Sequence, residues 1–182
     1  MAVIQIPMTE RILQFNIIVN SIIEKGGIQH MKISIGGDHC GFDLKTIVIE
    51  RLLSQGHEVI DHGAYDKNPV DFPDMAHKIC GSILNGDADR AIMLCGSGIG
   101  AAIACNKIPG IRASVVHDYY SAHQAVEHDD VQVMCMGEWI VGSLLAFDLI
   151  DTFLKAEFST DPIYRIKVAK LDRMDGTLKA NS

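Results

Sequence analysis

The chain is poor in several things, and each shortage excludes a class. Aromatic residues make up only 6% of its 182 residues, and Trp139 is its single tryptophan. Sixteen Lys and Arg face 23 Asp and Glu, for a net charge of −7. With no basic surplus to neutralise a phosphate backbone, a general nucleic-acid binder is excluded. A small phosphorylated substrate is not, because it needs only a few local cations. No apolar run approaches the ~18 residues that would cross a membrane, and Glu10 and Arg11 break up the N-terminus, so neither a membrane segment nor a signal peptide is expected. The five cysteines (Cys40, Cys80, Cys95, Cys105, Cys135) are odd in number and contain no C-x-x-C pair. Zinc-ribbon spacing is therefore missing and no metal is expected. The same usage suits a reducing, cytoplasmic compartment. No Gly-Lys-Ser/Thr occurs, which removes a Walker loop, and no G-x-G-x-x-G follows the first strand, which removes the dinucleotide fingerprint.

What remains is a chain with 48% hydrophobic residues, plentiful in Gly, Ala and Ile, and long enough for one domain with an appendage. Residues 1–30 stand apart. Thr9 can cap a helix from Glu10 to about Lys25, ended by Gly26-Gly27, whose apolar residues cover more than one face. It would pack on the body or at a subunit interface, or else be an extension upstream of a natural start at Met31.

From there strand and helix alternate. Strands are expected at 32–36, 57–60, 90–94, 111–116 and 131–136. Helices are expected from Phe42 to Ser54, from about Asp71 to Leu84, after the glycine loop at 96–100, from Tyr119 to Glu127, from Glu138 to Phe158, and near Tyr164–Met174. Five alternations imply an α/β fold, a Rossmann-like three-layer sandwich around a five-stranded parallel sheet. The domain division is then an N-terminal helical extension at 1–30 and one α/β domain at 31–182. Ligands of such sheets bind beyond the carboxyl ends of the strands. Asp38-His39, Cys95–Ser97, His117-Asp118 and His128-Asp129 all lie at strand ends or loop starts and are expected to converge at one edge.

The centre of the pattern is Leu94-Cys95-Gly96-Ser97-Gly98-Ile99-Gly100. A buried strand runs into a tight glycine turn and then into a small, apolar helix. Glycine permits the turn and a close backbone approach, and free N–H groups at a helix start form a cradle for negative charge. Cys95 and Ser97 put a thiol and a hydroxyl beside that cradle. A strand-end cysteine is also a common inert core residue, so the loop alone leaves the reactive thiol open. Asp38 and His39 read either as an acid–base pair or as a helix cap with a solvated neighbour. His128 reads equally as a site residue or as a histidine facing a helix dipole. His57, His62 and His77 read as surface residues, His117-Asp118 as a cap, His123 as exposed, and Trp139 as a pocket wall at a helix start.

Several separated motifs agree with one family. Gly37-Asp38-His39-Cys40-Gly41, Asp71-Phe72-Pro73, Cys95-Gly96-Ser97-Gly98-Ile99-Gly100, the 106–113 segment Asn-Lys-Ile-Pro-Gly-Ile-Arg-Ala, Tyr120-Ser121-Ala122, His128-Asp129 and Val141-Gly142 match in order and spacing. Through them the chain from Met31 to about Lys170 resembles the ribose-5-phosphate isomerase B / galactose-6-phosphate isomerase family of sugar-phosphate isomerases.

The resemblance implies interconversion of aldose and ketose phosphates through a cis-enediolate, with no metal and no cofactor, in a homodimer or tetramer whose sites are shared between subunits. It implies that Cys95 moves the proton between C1 and C2, and that Ser97 assists on the substrate oxygens. The N–H groups of Gly96, Gly98, Ile99 and Gly100 would hold the enediolate. His128, helped by Asp38, would open the sugar ring, and His39 would contact substrate. Ala101 stands where another branch carries a glutamate, which makes this the cysteine type.

The chain also departs from the family. Trp139 replaces a common Arg, Asp129 a usual Asn, and Phe72 a frequent Tyr, all three at positions facing substrate. A C-terminal Gly-Gly-Arg-His pattern is missing, and Arg165 or Lys167 are the nearest substitutes for its phosphate-binding arginines. Ribose 5-phosphate is the first expected substrate. Galactose 6-phosphate, allose 6-phosphate, a tetrose 4-phosphate, or a non-catalytic binding subunit are the alternatives.

Overall fold

The computed structural model describes residues 30–176. The helix expected at 10–25 lies outside them. The described elements are β1 (Lys32–Gly37), a 3-10 turn (His39–Gly41), α1 (Phe42–Ser54), β2 (Glu58–Asp61), α2 (Phe72–Leu84), β3 (Arg90–Cys95), α3 (Ile99–Cys105), β4 (Ala113–Val115), α4 (Tyr119–Asp129), β5 (Val133–Gly137), α5 (Ser143–Lys155) and α6 (Pro162–Met174). All five strands are parallel, in the order β2-β1-β3-β5-β4. None of the described helices is long and apolar enough to cross a membrane.

Apolar residues on both faces of the strands make this a buried sheet. Ile33, Ile35, Ile92, Leu94, Met134 and Met136 pack with α1, α4 and α5 on one face. Ala91, Met93, Cys95, Val133 and Cys135 pack with α2 and α3 on the other. Each fully buried Ile, Leu or Met contributes about 1.5–3 kcal/mol. The second face is lined with smaller residues, so the Ala-rich α3 sits close. Ser34, a buried hydroxyl on this face, donates to Ile79 O at 3.0 Å.

Helix starts follow their caps. Asp118 accepts the Ser121 N–H at 2.8 Å, and Asp161 accepts the Ile163 N–H at 2.9 Å ahead of Pro162. Hydrogen bonds from the Ser121 amide and hydroxyl hold the Asp118 carboxyl below its ordinary range.

Several boundaries differ from expectation. Residues 138–141 form a turn, not the first turn of α5. The Glu138 and Trp139 N–H groups bond back to Cys95 O (2.8 Å) and Gly96 O (3.1 Å), which ties the segment to the glycine loop. Trp139 therefore sits on a turn, and α5 ends at Lys155. Helix α4 runs through His128 and Asp129, and Asp130 ends it at φ 47°. The strand expected at 111–116 pairs only over Ala113–Val115. His57 is buried, not on the surface: Nδ1 accepts the Met31 N–H at 3.2 Å, and burial pushes its pKa down. His62, half-buried against Ser82 Oγ at 2.9 Å, is lowered by burial as well.

Candidate active site

Parallel β1, β3 and β5 deliver Gly37, Cys95 and Gly137 to one edge in register: Gly37 pairs with Leu94, and Cys95 with Gly137. Cys95 is buried at the end of β3, and the Gly98 N–H points at its sulfur at 2.9 Å. Gly98 takes φ +78°, a left-handed conformation that L side chains rarely adopt, and this reversal aims its amide at the thiol. Ser97 Oγ accepts the Ile99 N–H at 3.3 Å on the rim. The first-turn amides of α3 lack intrahelical partners by helix geometry. A thiol, a hydroxyl and converging N–H groups therefore share one loop, which suits proton transfer next to a developing oxyanion.

The strand ends are packed backbone on backbone. A Cβ at Gly137 would lie 2.7 Å from Ser97 Cα, so only glycine fits there. Asp38 N–H donates to Leu94 O at 3.2 Å, which brings the Asp38–Gly41 turn alongside Cys95. Asp38 Oδ1 caps that turn by accepting the Cys40 N–H at 2.9 Å. His39 Nδ1 accepts the Val70 N–H at 3.4 Å. Two aromatics wall the loop. The Trp139 ring comes within 2.7 Å of an ideal Gly96 Cβ, and the Phe72 ring within 3.2 Å of an ideal Gly100 Cβ. Trp139 is nevertheless 72% exposed.

Sequence reasoning missed Glu138 and Cys40 here, and it expected His117 at this edge without giving it this role. Glu138 accepts the Leu44 N–H at 2.9 Å and joins the 138–141 turn to α1. His117 Nε2 accepts the Gly137 N–H at 3.0 Å, and burial lowers its pKa, so it serves in the neutral form. Cys40 is half-buried, and its pKa is raised by burial first and then by the nearby Asp38, Cys95 and Glu138. Cys40 was legible as part of the Gly-Asp-His-Cys-Gly turn. Nothing in the sequence singled out Glu138 as a prop of the loop, and His117, expected at this edge, read there only as part of a cap.

The other expected site residues lie elsewhere, and this corrects the expectation of one converged edge. Helix α4 starts beyond the carboxyl end of β4 and runs back over the sheet, so its last turn returns to the amino edge. Arg112, just before β4, donates from Nε to Asp129 O at 2.9 Å, and Arg90, which opens β3, donates to Val131 O at 3.0 Å. At the ~3.3 Å rise of a parallel strand, β3 alone puts about 17 Å between the edges.

There the His128 ring stacks on Tyr164 with centroids 3.8 Å apart, and the Gln124 amide approaches it to 2.9 Å. Asp129 is exposed. Arg165 and Lys167, exposed on α6, lie over the rings of Phe158 (4.8 Å) and Tyr164 (5.5 Å). Within one chain the structure thus brings together Asp38, His39, Phe72, Cys95–Gly100 and Trp139, and separately His128, Asp129, Arg165 and Lys167.

Comparison with known proteins identifies the family. Residues 33–171 match the family model described as Ribose/Galactose Isomerase. The ribose-5-P isomerase B of Listeria innocua is 44% identical over 129 residues, 71% of this chain and 87% of that protein. The D-erythrulose-4-phosphate isomerase 2 of Mycolicibacterium smegmatis is 37% identical over 150 residues, 80% of this chain and 98% of that one. Among solved structures, ribose-5-phosphate isomerase B of Clostridium thermocellum superimposes with a TM-score of 0.78 at 42% identity, covering 80% of this chain and 98% of that one. Fold and comparisons together define the class as a sugar-phosphate isomerase, an aldose–ketose isomerase on a parallel α/β sheet. The chain belongs to the ribose/galactose isomerase family.

Proposed function

We propose that the chain interconverts ribose 5-phosphate and ribulose 5-phosphate, and that two copies of it build each site. The observation that carries the reaction is Cys95, held at the end of β3 with the Gly98 N–H on its sulfur and Ser97 beside it. Cys95 takes the proton from C2 of the aldose and returns it to C1. The loop amides stabilise the negative oxygen of the cis-enediolate while this happens. Ser97 moves the hydroxyl proton between O1 and O2. Asp38 and His39, on the adjoining turn, hold the sugar hydroxyls. Nothing in this sequence of proton transfers calls for a metal or a redox cofactor.

The second copy supplies what one copy keeps at its opposite edge. His128 opens the furanose ring, Arg165 and Lys167 receive the phosphate, and Asp129 contacts the substrate. A band of exposed apolar residues supports such pairing. Ile99 and Ile103 on α3, Tyr119 and Tyr120 opening α4, and Trp139 and Ile140 on the 138–141 turn are all more than half exposed near the carboxyl edge. Residues 31–182 form the isomerase domain, and five unpaired thiols suit the cytoplasm.

A tetrose 4-phosphate is the second reading. Trp139 projects over the glycine loop where the family commonly has Arg, which narrows the site, and two relatives are named for such a substrate. The test is turnover of purified protein on ribose 5-phosphate, allose 6-phosphate, galactose 6-phosphate, erythrose 4-phosphate and the free sugars, with Cys95→Ala as control. Ribose 5-phosphate turnover that vanishes in the control is expected. Turnover of only another sugar phosphate reassigns the substrate. Silence across the panel leaves a binding subunit.

A further inference from the structure

We propose that Asp38, His39 and Cys40 form a site for a thiophilic divalent cation, zinc foremost, and that zinc bound there closes the isomerase site. The binding half stands on geometry alone, whereas the inhibition half rests on the function proposed above. Among the described residues this is the one group of three in which a carboxylate oxygen, a histidine nitrogen and a cysteine sulfur all lie within 4.8 Å of one another. Around a tetrahedral zinc, with bonds of ~2.0–2.3 Å, such ligand atoms sit roughly 3.3–3.6 Å apart. Side-chain rotation of about 1 Å closes the difference.

The backbone under the three residues is already fixed. Asp38 N–H bonds to Leu94 O, Gly41 N–H to Asp38 O, and Cys40 N–H to Asp38 Oδ1, which leaves Asp38 Oδ2 to a ligand. The Val70 N–H to His39 Nδ1 contact is long at 3.4 Å and readily given up. All three residues are half-buried, so the site is reachable from solvent.

The donor set decides the metal. One sulfur, one imidazole and one carboxylate favour zinc and its thiophilic neighbours over magnesium or calcium, which prefer all-oxygen shells. Binding forms a metal–sulfur bond and releases the Cys40 thiol proton to solvent. Three protein ligands leave a fourth position for water. Asp38 and His39 are then no longer available to the sugar hydroxyls, so zinc competes with substrate.

The experiment titrates tag-free, full-length chain with cobalt chloride as a spectroscopic probe. The expected result is an ultraviolet thiolate-to-cobalt charge-transfer band that saturates at one equivalent and is abolished by zinc chloride. Cys40→Ala is expected to keep isomerase turnover, lose the band, and raise the zinc concentration for half-inhibition by more than about tenfold, the least that loss of even an outer partner costs. Cys95→Ala is expected to keep the band. Should Cys40→Ala fold poorly, Cys40→Ser provides the same comparison. No band in the native chain, a band that survives in Cys40→Ala, or zinc inhibition unchanged in Cys40→Ala would each overturn the proposal. A cobalt band that depends on Cys40, in a chain that turns over no sugar, keeps the metal site and refutes the isomerase reading.

Discussion

The two edges of the sheet are built by different means. At the carboxyl edge, main chain defines the geometry: buried strands end in register, Gly137 packs on Ser97, and an amide is aimed at a buried sulfur. At the amino edge, side chains on helix surfaces define it: His128 stacks on Tyr164, and two exposed cations lie over rings. The first construction holds an atom to a fraction of an ångström, as proton transfer to carbon demands. The second offers charge and a ring on movable stems, as capture of a flexible phosphate demands. The edges should therefore fail differently, the carboxyl edge in kcat and the exposed cations of the amino edge in KM.

Cys95→Ala tests that division with the largest effect. Loss of the proposed proton-transfer group is expected to lower kcat by about 10²–10⁴ with KM and melting temperature little changed. Replacing Arg165 and Lys167 together with Ala comes next. Two charged contacts of about 1.5 kcal/mol or more each predict a KM for phosphorylated sugar raised roughly 100-fold, with kcat largely kept. If that double variant instead lowers kcat at constant KM, the contrast between the edges is broken.

Gly137→Ala sharpens the claim that main chain builds the carboxyl edge. Its Cβ meets rigid backbone at 2.7 Å, so a loss of about 2–3 kcal/mol in denaturant unfolding is expected. The smallest effect is one of pH. Burial lowers the pKa values of His57, His62 and His117 below 6.5, so the unfolded chain takes up protons more readily than the folded one. Their contribution is complete above the unfolded value and is lost as pH falls through the folded values. A melting temperature lower at pH 5.5 than at pH 8 is expected, and His117→Gln should reduce the difference.

The carboxyl edge was legible in the sequence because local rules govern it. Apolar strands, a glycine turn and a terminal cysteine identify each other within ten residues of chain, and β3 and α3 follow. The amino edge was not, because motif order groups His128 with the strand-end residues, although His128 leads into β5 and the return to the amino edge runs through α4. Asp118 capped its start visibly, whereas its end rested on Asp130 adopting φ 47°, a conformation that a run of His-Asp-Asp does not announce. The return path of the crossover separates His128 from Cys95 by a strand length, to which the two further residues of α4 add only about 3 Å. Trp139 was misplaced for a related reason: hydrogen bonds to Cys95 O and Gly96 O, distant in sequence, unwind what periodicity read as a helix.

The central claim is that each site combines the carboxyl edge of one copy with the amino edge of another, and subunit mixing tests it most directly. Cys95→Ala and His128→Ala are each expected to be nearly inactive alone. Unfolded, mixed in equal amounts and refolded together, they form hybrids in which one site keeps both residues. Activity recovering to about a quarter of native is the predicted result for a two-site dimer. Hybrids that form, as shown by native mass spectrometry, yet remain as inactive as their parents would contradict the account.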